Sequence, residues 1–189
     1  MKEQAISIKD LRAALNYDPA TGLFVWCRRD ETLPVPRRYL NMWNTRFAGK
    51  AAFSYVSPKG YKTGHAFGIV VAAHRAAWAI HYGEWPKGQI DHINGDKADN
   101  RIENLRLCTA TENNWNRGPR KGASRFKGVS IDKRSGSWVV NIRCGGPARY
   151  VGTFRCEIAA ARAYDAAAIR LHGEFARLNF PDQIEGVAP

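Results

Sequence analysis

The 189-residue chain is long enough for one large domain or two small ones. It carries 29 Lys and Arg against 17 Asp and Glu, a formal net charge of +12. This surplus speaks against an acidic ligand-binding surface and favours a polyanionic partner, nucleic acid first and an anionic membrane second. Hydrophobic residues make up 44% of the chain, so we expect folded domains rather than a disordered basic tail.

Three sequence features indicate the compartment. No apolar run approaches the roughly 20 residues that span a bilayer. The N-terminus, MKEQAISIKD, places charges where a signal peptide needs an apolar stretch. The cysteines at positions 27, 108, 144 and 156 form no C-x-x-C pair, and although they could form two disulfides, a cytosolic chain of this size needs none. We therefore predict a cytoplasmic protein with reduced cysteines, no structural zinc and no membrane partner.

The first half of the chain mixes helix and strand patterns. The predicted elements, in chain order, are a helix that begins at residues 7–10, a turn at 18–22, the strand Leu23–Trp26, a small antiparallel sheet around a turn at 57–60, and a helix over residues 71–82. Gly83 is positioned to end that last helix. His74 and His81 lie seven residues apart without a third ligand, so we interpret them as surface or packing residues.

The most informative segment lies in the middle of the chain. Residues 90–93 are a predicted short strand, residues 94–96 (Asn-Gly-Asp) a turn, and Leu105–Cys108 a second strand. Thr109 and Glu112 have the spacing of a capping box that opens a helix. The predicted order is strand, loop, strand and helix.

Four polar side chains in this segment suit metal-assisted hydrolysis of a phosphodiester. Asp91 and His92 lie on the first strand, Asn104 at the entry to the second, and Asn113 near the start of the helix. Oxygen ligands from Asp and Asn suit a hard ion such as Mg²⁺, which takes its other ligands from water and phosphate. A neutral His nearby can take a proton from water near pH 7. The alternative is a polar turn cluster, because Asp, Asn and Gly are ordinary turn formers.

With an Asn twelve residues after His92 and another nine further on, the chain resembles the HNH endonucleases in their ββα-metal form. The variant is that of bacteriophage and intron-borne homing endonucleases, in which the last His is replaced by Asn. The resemblance covers roughly residues 10–117. The further phrases that carry it are Tyr17-Asp-Pro-Ala-Thr-Gly22, Ala48-Gly49-Lys50, His74-Arg-Ala-Ala-Trp78, Asp91-His-Ile-Asn-Gly95, Asp99-Asn-Arg-Ile-Glu-Asn-Leu-Arg106 and Glu112-Asn113.

This resemblance implies a role for each side chain. His92 would be the general base, and Asp91 and Asn113 would bind a single divalent ion, Mg²⁺ or another such as Mn²⁺. Asn104 would brace the loop and orient His92. The positions of Asn114 and Asn116 leave open whether one of them shares or takes the ligand role. Many relatives also have a zinc ribbon built on C-x-x-C pairs, which this chain lacks, so any metal should be catalytic.

A basic linker is predicted after the helix. Residues 117–125 hold four bases, two Gly beside a Pro, and no acid, which is typical of an exposed segment. The bases could follow a phosphate backbone, or the segment could be a solvated loop. The candidate DNA contacts here are Arg117, Arg120, Lys121 and Arg125.

The C-terminal third has the pattern of a small sheet on a helix. The predicted strands are residues 126–131, Ser137–Arg143 and residues 149–154, and a helix follows over Glu157–His172. Its alanines recur on one face at helical spacing, which lets the helix lie close to a sheet. Gly173 is positioned to end it.

Residues 124–181 resemble the Apetala/ethylene-response-factor (AP2/ERF) DNA-binding domain. The phrases that carry the resemblance are Lys127-Gly128-Val129, Trp138, Ile142-Arg143, Gly152-Thr153-Phe154, Ala159-Ala160, Ala163-Tyr164-Asp165, Ala167-Ala168 and Leu178-Asn179-Phe180-Pro181. In that family the sheet enters the major groove. The DNA-binding candidates carried over are Lys127, Trp138 and Arg143, with Arg134 and Tyr150 in addition.

Two open points accompany this resemblance. Ser130 and Tyr150 stand where the plant domains usually have Arg and Trp, so the groove-docking geometry can transfer but the plant target sequence should not. For the aromatic residues Trp138 and Tyr150 the alternative is core packing. For Lys127 and Arg143 it is a solvated strand face.

We therefore predict an α+β protein: a ββα-metal HNH domain over residues 1–117, a linker over 118–125, a three-stranded antiparallel sheet packed on one helix over 126–182, and a tail over 183–189. The expected function is a metal-dependent, site-preferring DNA nickase whose partner is double-stranded DNA, monomeric or weakly dimeric. The alternatives are a DNA-binding regulator with a vestigial nuclease half and, more distantly, an RNA-binding accessory protein. If phage-encoded, it would act in the host cytoplasm.

Overall fold

The computed structural model describes residues 2–30, 36–120 and 122–183. Within these ranges the helices are α1 (Ile8–Ala14), α2 (Arg37–Phe47), α3 (Ala73–Tyr82), α4 (Ala110–Trp115) and α5 (Glu157–His172). The strands are β1 (Leu15–Asp18), β2 (Leu23–Trp26), β3 (Tyr55–Val56), β4 (Lys62–Ala66), β5 (Ile69–Ala72), β6 (Gln89–His92), β7 (Leu105–Cys108), β8 (Val129–Asp132), β9 (Ser137–Arg143) and β10 (Ala148–Phe154). The predicted α+β class is confirmed.

The chain divides into two compact units after Leu107. The first unit contains α1 to α3 and β1 to β6, and the second, from Cys108 onward, contains α4, β8 to β10 and α5. Helix α4 is thus grouped with the C-terminal sheet. The domain limits drawn from the sequence stay a prediction.

The core of the first unit lies among α1, α3 and two small sheets. Strands β1 and β2 form an antiparallel hairpin with Leu15 opposite Trp26, and β3, β4 and β5 form an antiparallel sheet in that order. The side chains that fill the core include Leu11, Leu15, Phe24, Phe53, Val71 and Ala76, all nearly or fully buried. Burial of each of the larger ones contributes about 1.5–3 kcal/mol relative to exposure.

The boundaries of α1 and α3 follow local rules. Ser7 caps α1 by accepting a hydrogen bond from the Asp10 N–H at 3.1 Å, as its sequence predicts. Helix α3 begins at Ala73 rather than at residue 71, because the preceding residues pair as β5 with β4. It ends at Gly83, whose φ of 80° is the left-handed conformation of a helix C-terminus.

Helix α2 was not predicted. It is held on the first unit through its inner face. The buried Asn44 side chain accepts from the Arg29 N–H and donates to the Arg29 carbonyl, both at 2.9 Å. Trp43 packs edge-on against Trp26 with ring centroids 5.8 Å apart. These tertiary contacts hold the helix in place.

The second unit has the predicted architecture of three antiparallel strands, in the order β10-β9-β8, packed on α5. Strand β9 and helix α5 have their predicted bounds, whereas β8 begins at Val129 rather than at residue 126. Gly128, at φ 75°, precedes β8, and a Cβ there would lie 1.9 Å from the Tyr164 ring. Only glycine therefore lets the chain pass so close to α5.

The segment after α5 is tied back to the sheet by a polar clamp. Asp165 accepts hydrogen bonds from the backbone N–H groups of Asn179 and Phe180, at 2.8 and 2.9 Å. The Asn179 side chain in turn accepts from the Lys127 N–H at 2.7 Å and donates to the Lys127 carbonyl at 3.2 Å. These hydrogen bonds explain why Asp165 and Asn179 occur among the otherwise apolar residues of this unit.

None of the four cysteines, all of which lie among the described residues, forms a disulfide. Among the described residues, no helix combines the length and the apolar character needed to cross a membrane.

Candidate active site

Strand β6 carries the first two predicted site residues into the interior of the first unit. Asp91 and His92 are 5% and 3% exposed. Strand β6 pairs with β7 in a two-stranded sheet, which brings Arg106 of β7 beside Asp91. Arg106 donates to Asp91 Oδ2 through Nε at 3.0 Å and through Nη2 at 2.7 Å. The carboxylate is thus fixed in orientation and its charge is compensated.

His92 lies in a small aromatic cluster. Its ring centroid is 5.2 Å from that of His74, edge to face, and 5.9 Å from that of Tyr61. Burial lowers the pKa of His92 below its usual range, although Asn100 and the carboxylates around it, Asp91 first, act in the opposite direction. The imidazole is therefore neutral at pH 7 and able to accept a proton.

His74, at the start of α3, is a packing residue in this cluster. Burial lowers its pKa to about 3, with further contributions from His92 and Arg75. Its buried Nδ1 has no hydrogen-bond partner among the described residues. The histidine is therefore kept neutral by its surroundings, in agreement with the interpretation of His74 as a packing residue.

Asn104 spans the loop that follows β6. Its side chain accepts from the Asn94 N–H and donates to the Asp99 carbonyl, both at 2.9 Å. Its own carbonyl accepts from the Ile93 N–H at 2.9 Å. The side chain that lies against His92 is instead Asn100, whose Oδ1 is 3.5 Å from His92 Nε2, a long hydrogen bond. Asn100 is 1% exposed.

The acidic side chains of this loop are occupied by the loop itself. Asp99 accepts from Asn94 Nδ2 and Arg101 Nη2, each at 2.8 Å, and the Arg101 hydrogen bonds lower the pKa of Asp99 to about 2. Asp96 accepts from the Ala98 N–H at 2.9 Å. These carboxylates shape the turn. In the described part of the chain, no group of three or more His, Cys, Asp or Glu side chains is arranged to hold a metal ion.

The β1–β2 hairpin supports this loop from the far side. The Tyr17 hydroxyl donates to the Asn100 carbonyl at 2.8 Å, and the Ile102 N–H donates to the Pro19 carbonyl at 3.0 Å. Gly22 packs so closely that a Cβ on it would lie 2.5 Å from Arg101 N and from the Asn100 carbonyl carbon. The upstream phrase at residues 17–22 therefore helps to fix the position of Asn100.

Helix α4 carries Asn113 and belongs to the second unit. The predicted capping box is confirmed: Thr109 Oγ1 accepts from the Glu112 N–H at 3.2 Å, and Glu112 accepts from the Thr109 N–H at 2.7 Å. Asn113 is half-buried and Asn114 is exposed, whereas Asn116 is buried at the C-terminus of the helix. Their burial does not test which of these three side chains would be a metal ligand.

The end of α4 is anchored within its own unit. Trp115 stacks on His172 of α5, with ring centroids 4.5 Å apart and planes 10° from parallel. Its carbonyl accepts a hydrogen bond from Lys127 Nζ. Burial, with a contribution from Arg177, lowers the pKa of Lys127 to about 8. This predicted DNA contact is thus half-buried and directed at the backbone of α4.

The two faces of the C-terminal sheet separate the other predicted DNA contacts. On β9, Val140 and Ile142 are buried towards α5, and Trp138 has the same parity and packs against that core. Arg143 has the opposite parity and is exposed, and Tyr150, 66% exposed, pairs across with Asn141 on the same outer face. Arg143 and Tyr150 therefore share the open face, whereas the position of Trp138 favours its core-packing alternative.

The remaining predicted contacts lie on loops. Arg117, Arg120, Arg125 and Arg134 are exposed, and the Arg125 guanidinium lies over the Phe126 ring at 5.0 Å. Lys121 lies outside the described residues.

Sequence reasoning missed four residues around Asp91 and His92: Tyr61, His74 as a neighbour of His92, Asn100 and Arg106. Two signals were available. A carboxylate on a buried strand needs a counter-charge. Arg106 provides a positive charge on the strand that is predicted next in the chain. Asn100 lies in the segment 99–106 but carries no feature that distinguishes it from the other turn asparagines.

Comparison with known proteins identifies the family of the first part of the chain. The family model described as HNH endonuclease matches residues 71–115. Protein 3.8 of Escherichia phage T7 is 33% identical over 106 residues, which cover 55% of this chain and 87% of that protein. The chain therefore belongs to the HNH endonuclease family.

Plant proteins account for a further part of the chain. APETALA2-like protein 2 of Oryza sativa subsp. indica is 45% identical over 64 residues, and the AP2-like ethylene-responsive transcription factor TOE2 of Arabidopsis thaliana is 44% identical over 64 residues. Each match covers 34% of this chain but only 15% and 13% of the plant proteins. The protein thus combines an HNH endonuclease domain with an AP2-type domain. No solved structure matches it significantly.

Proposed function

We propose that the protein is a divalent-metal-dependent endonuclease that hydrolyses double-stranded DNA in the cytoplasm of its host cell. The observation that carries the proposal is the pair of side chains on β6, in a chain of the HNH endonuclease family: a carboxylate fixed by Arg106 beside an imidazole that is neutral at pH 7. In the proposed reaction, His92 accepts a proton from the water that attacks the phosphorus atom.

The surrounding residues keep this base in place. Asn104 closes the loop after β6 through two side-chain hydrogen bonds, and Asn100 lies at Nε2 of His92. Both are positioning residues in this proposal. Tyr61 and His74 pack near the imidazole and contribute to its burial, which favours its neutral form.

The donor chemistry of Asp91 fits a hard divalent ion, because Mg²⁺ in proteins is usually held by one or two oxygen ligands together with waters and substrate phosphate. Asp91 would hold the ion, and the ligand role of Asn113 stays a prediction. When bound, the ion supplies Lewis-acid polarisation of the scissile phosphate and stabilises the leaving 3′ oxygen. The choice between Mg²⁺ and Mn²⁺ is part of the test.

We further propose that the product is a nick and that the second unit supplies DNA affinity. The chain has a single HNH motif without an internal repeat, so one binding event cuts one strand. The similarity to plant AP2-type proteins supports DNA contact by the C-terminal sheet, and Arg143 and Tyr150 on its open face, with the loop arginines, are the proposed contacts.

The test is cleavage of supercoiled plasmid with Mg²⁺, Mn²⁺ or EDTA. We expect nicked circles with a divalent ion, none with EDTA, and a loss of at least about 10²-fold in rate for His92→Ala. His81→Ala is the matched control, because His81 is an exposed histidine on α3 and should leave the rate unchanged. Equal rates in wild type and His92→Ala would contradict the assignment. Inactivity of both proteins with DNA binding retained would support the DNA-binding regulator instead.

A further inference from the structure

Helix α2 has an exposed face that none of the roles above uses. Tyr39, Met42 and Arg46 follow one another at helical spacing on this face, and Tyr39 and Met42 are 51% and 66% exposed. Arg38 stands next to them, with its guanidinium 4.8 Å from the centre of the Tyr39 ring and Nη2 donating to the Tyr39 hydroxyl at 3.1 Å. We call these four residues the α2 face.

The α2 face stands on a fixed support. Beneath it, Asn44 is hydrogen-bonded twice to the Arg29 backbone, and the Arg29 guanidinium lies 3.8 Å from the centre of the Trp43 ring. The Arg46 guanidinium lies over the Phe47 ring at 5.2 Å. Side chains held in this way lose less conformational entropy when they bind a partner.

The charge of the α2 face points to a polyanion. Helix α2 contains no acidic residue, and among the described residues neither Arg38 nor Arg46 forms an ion pair. Beside these arginines lies a shallow pocket of about 300 Å³, whose lining includes Arg29, Met42 and Trp43. Cationic groups that surround an apolar floor suit a partner with charged phosphates and apolar sugar edges.

A lipid surface fits this face less well. Helices that lie in a membrane interface bury a broad apolar face, whereas α2 exposes only Tyr39 and Met42 among its large apolar side chains. Its other aromatic residues, Trp43 and Phe47, are partly buried. Charge without a broad apolar face favours nucleic acid.

We propose that the α2 face is a contact surface for duplex DNA in the first unit, additional to the C-terminal sheet. Arg38 and Arg46 bind backbone phosphates, and Tyr39 and Met42 pack against deoxyribose. The inference rests on the proposed function in one respect, that duplex DNA is the partner. The protein would then contact DNA not only through the C-terminal sheet but also through the unit that carries Asp91 and His92.

The test measures DNA binding apart from cleavage. In full-length His92→Ala protein in EDTA, the affinity for a fluorescent 30-base-pair duplex is measured by anisotropy between 50 and 200 mM salt, with and without Arg38→Ala and Arg46→Ala together. Loss of two phosphate contacts should lower the slope of log affinity against log salt by about 1.8. The affinity of the parent should therefore fall about 12-fold more than that of the double variant over this range.

The matched control removes two positive charges elsewhere on the same unit. Lys9 and Lys87 are exposed, and Lys9→Ala with Lys87→Ala should leave the slope close to that of the parent. A second pair of variants does not depend on the arginines. Met42→Glu should weaken binding by bringing a negative charge to the backbone, and Met42→Gln, which keeps the length of the side chain without the charge, should weaken it much less.

The outcomes separate the two proposals. If the parent binds and the arginine double variant keeps its slope, or the lysine control loses as much, the α2 face is not a DNA contact. Self-association that Met42→Glu abolishes, with an unchanged salt slope, would assign the face to a second copy of the chain and overturn the proposal. If the parent does not bind duplex DNA at all, both the α2 proposal and the DNA partner fail. Binding without any wild-type cleavage contradicts only the catalytic proposal.

Discussion

Gly22→Ala should distort the loop of the candidate site that carries Asn100, although Gly22 itself lies in the turn between β1 and β2. Gly22 has a φ of 70°, and a Cβ on it would lie 2.5 Å from two backbone atoms, Arg101 N and the carbonyl carbon of Asn100. Backbone atoms cannot rotate away from this contact as a flexible side chain could. The added methyl group must therefore displace the hairpin turn, the loop that carries Asn100, or both.

The size of the effect follows from two separable costs. An alanine in the left-handed conformation costs about 1–2 kcal/mol, and overpacking a well-packed site adds typically about 1–3 kcal/mol. Gly49 has nearly the same φ, 75°, but no heavy atom lies within 4 Å of its hypothetical Cβ. Gly49→Ala therefore measures the conformational cost alone, and the difference between the two variants, about 1–3 kcal/mol, measures the contact with the loop.

The assay is urea unfolding followed by tryptophan fluorescence, with the shift in midpoint compared at constant slope. The second readout is the rate of plasmid nicking under conditions in which both variants are folded. Because Asn100 lies against His92, Gly22→Ala should lower the nicking rate without weakening DNA binding, whereas Gly49→Ala should change neither. Equal midpoint shifts for the two variants would refute the close-packing argument. A destabilised but fully active Gly22→Ala protein would refute the link to His92.

Two further predictions concern buried charge. Arg106→Met leaves Asp91 buried without its counter-charge and should lower the free energy of unfolding by about 3–5 kcal/mol. Mg²⁺ should restore part of this loss in thermal unfolding, whereas Lys87→Met, at an exposed ion pair, should show neither the loss nor the rescue. A loss of stability that Mg²⁺ does not reduce would argue against a cation site at Asp91. The pKa of His74 is about 3 in the fold against an ordinary value of 6.5, so this residue destabilises the fold increasingly as the pH falls below 6.5. His74→Phe should therefore reduce the loss of unfolding free energy between pH 7.5 and 5.5 by about 1.4 kcal/mol, measured by urea unfolding. An unchanged pH dependence would mean that His74 is not held neutral.

The parts of the fold that the sequence predicted well are those governed by short-range rules. Strand β9, helix α5 and the Thr109–Glu112 capping box have periodicity or capping residues that determine them locally. Helix α2 has apolar residues at helical spacing but no side-chain cap at its N-terminus, its buried residues are only Leu40 and Asn44, and its position depends on contacts with Arg29 and Trp26. Tertiary contacts decide such an element.

The candidate site divides along the same line. The spacing of Asp91 and His92 on one strand indicates a pair of site residues, since it needs only the local strand geometry. The partners of that pair cannot be predicted from spacing, because Arg106 comes from the neighbouring strand and Tyr61 and His74 come from other elements. The loop after the pair is held by the Tyr17 hydroxyl, on a hairpin about 80 residues upstream in the chain.

The charge distribution suits a candidate site in which a carboxylate would lie close to a DNA phosphate. Two like charges 4 Å apart repel by about 4 kcal/mol at an effective dielectric constant of 20, so an uncompensated Asp91 would oppose the approach of the backbone. Arg106 cancels that charge within the fold, and the loop acids Asp96 and Asp99 are engaged by backbone and arginine donors. The surplus of +12 is therefore carried by residues outside this pair and loop, among them the α2 face and the arginines of residues 117–125. Compensation of Asp91 by Arg106 within a basic protein would let affinity and cleavage be set by different residues. Removing Arg38 and Arg46 should therefore change the salt dependence of binding, while removing His92 should change the rate alone.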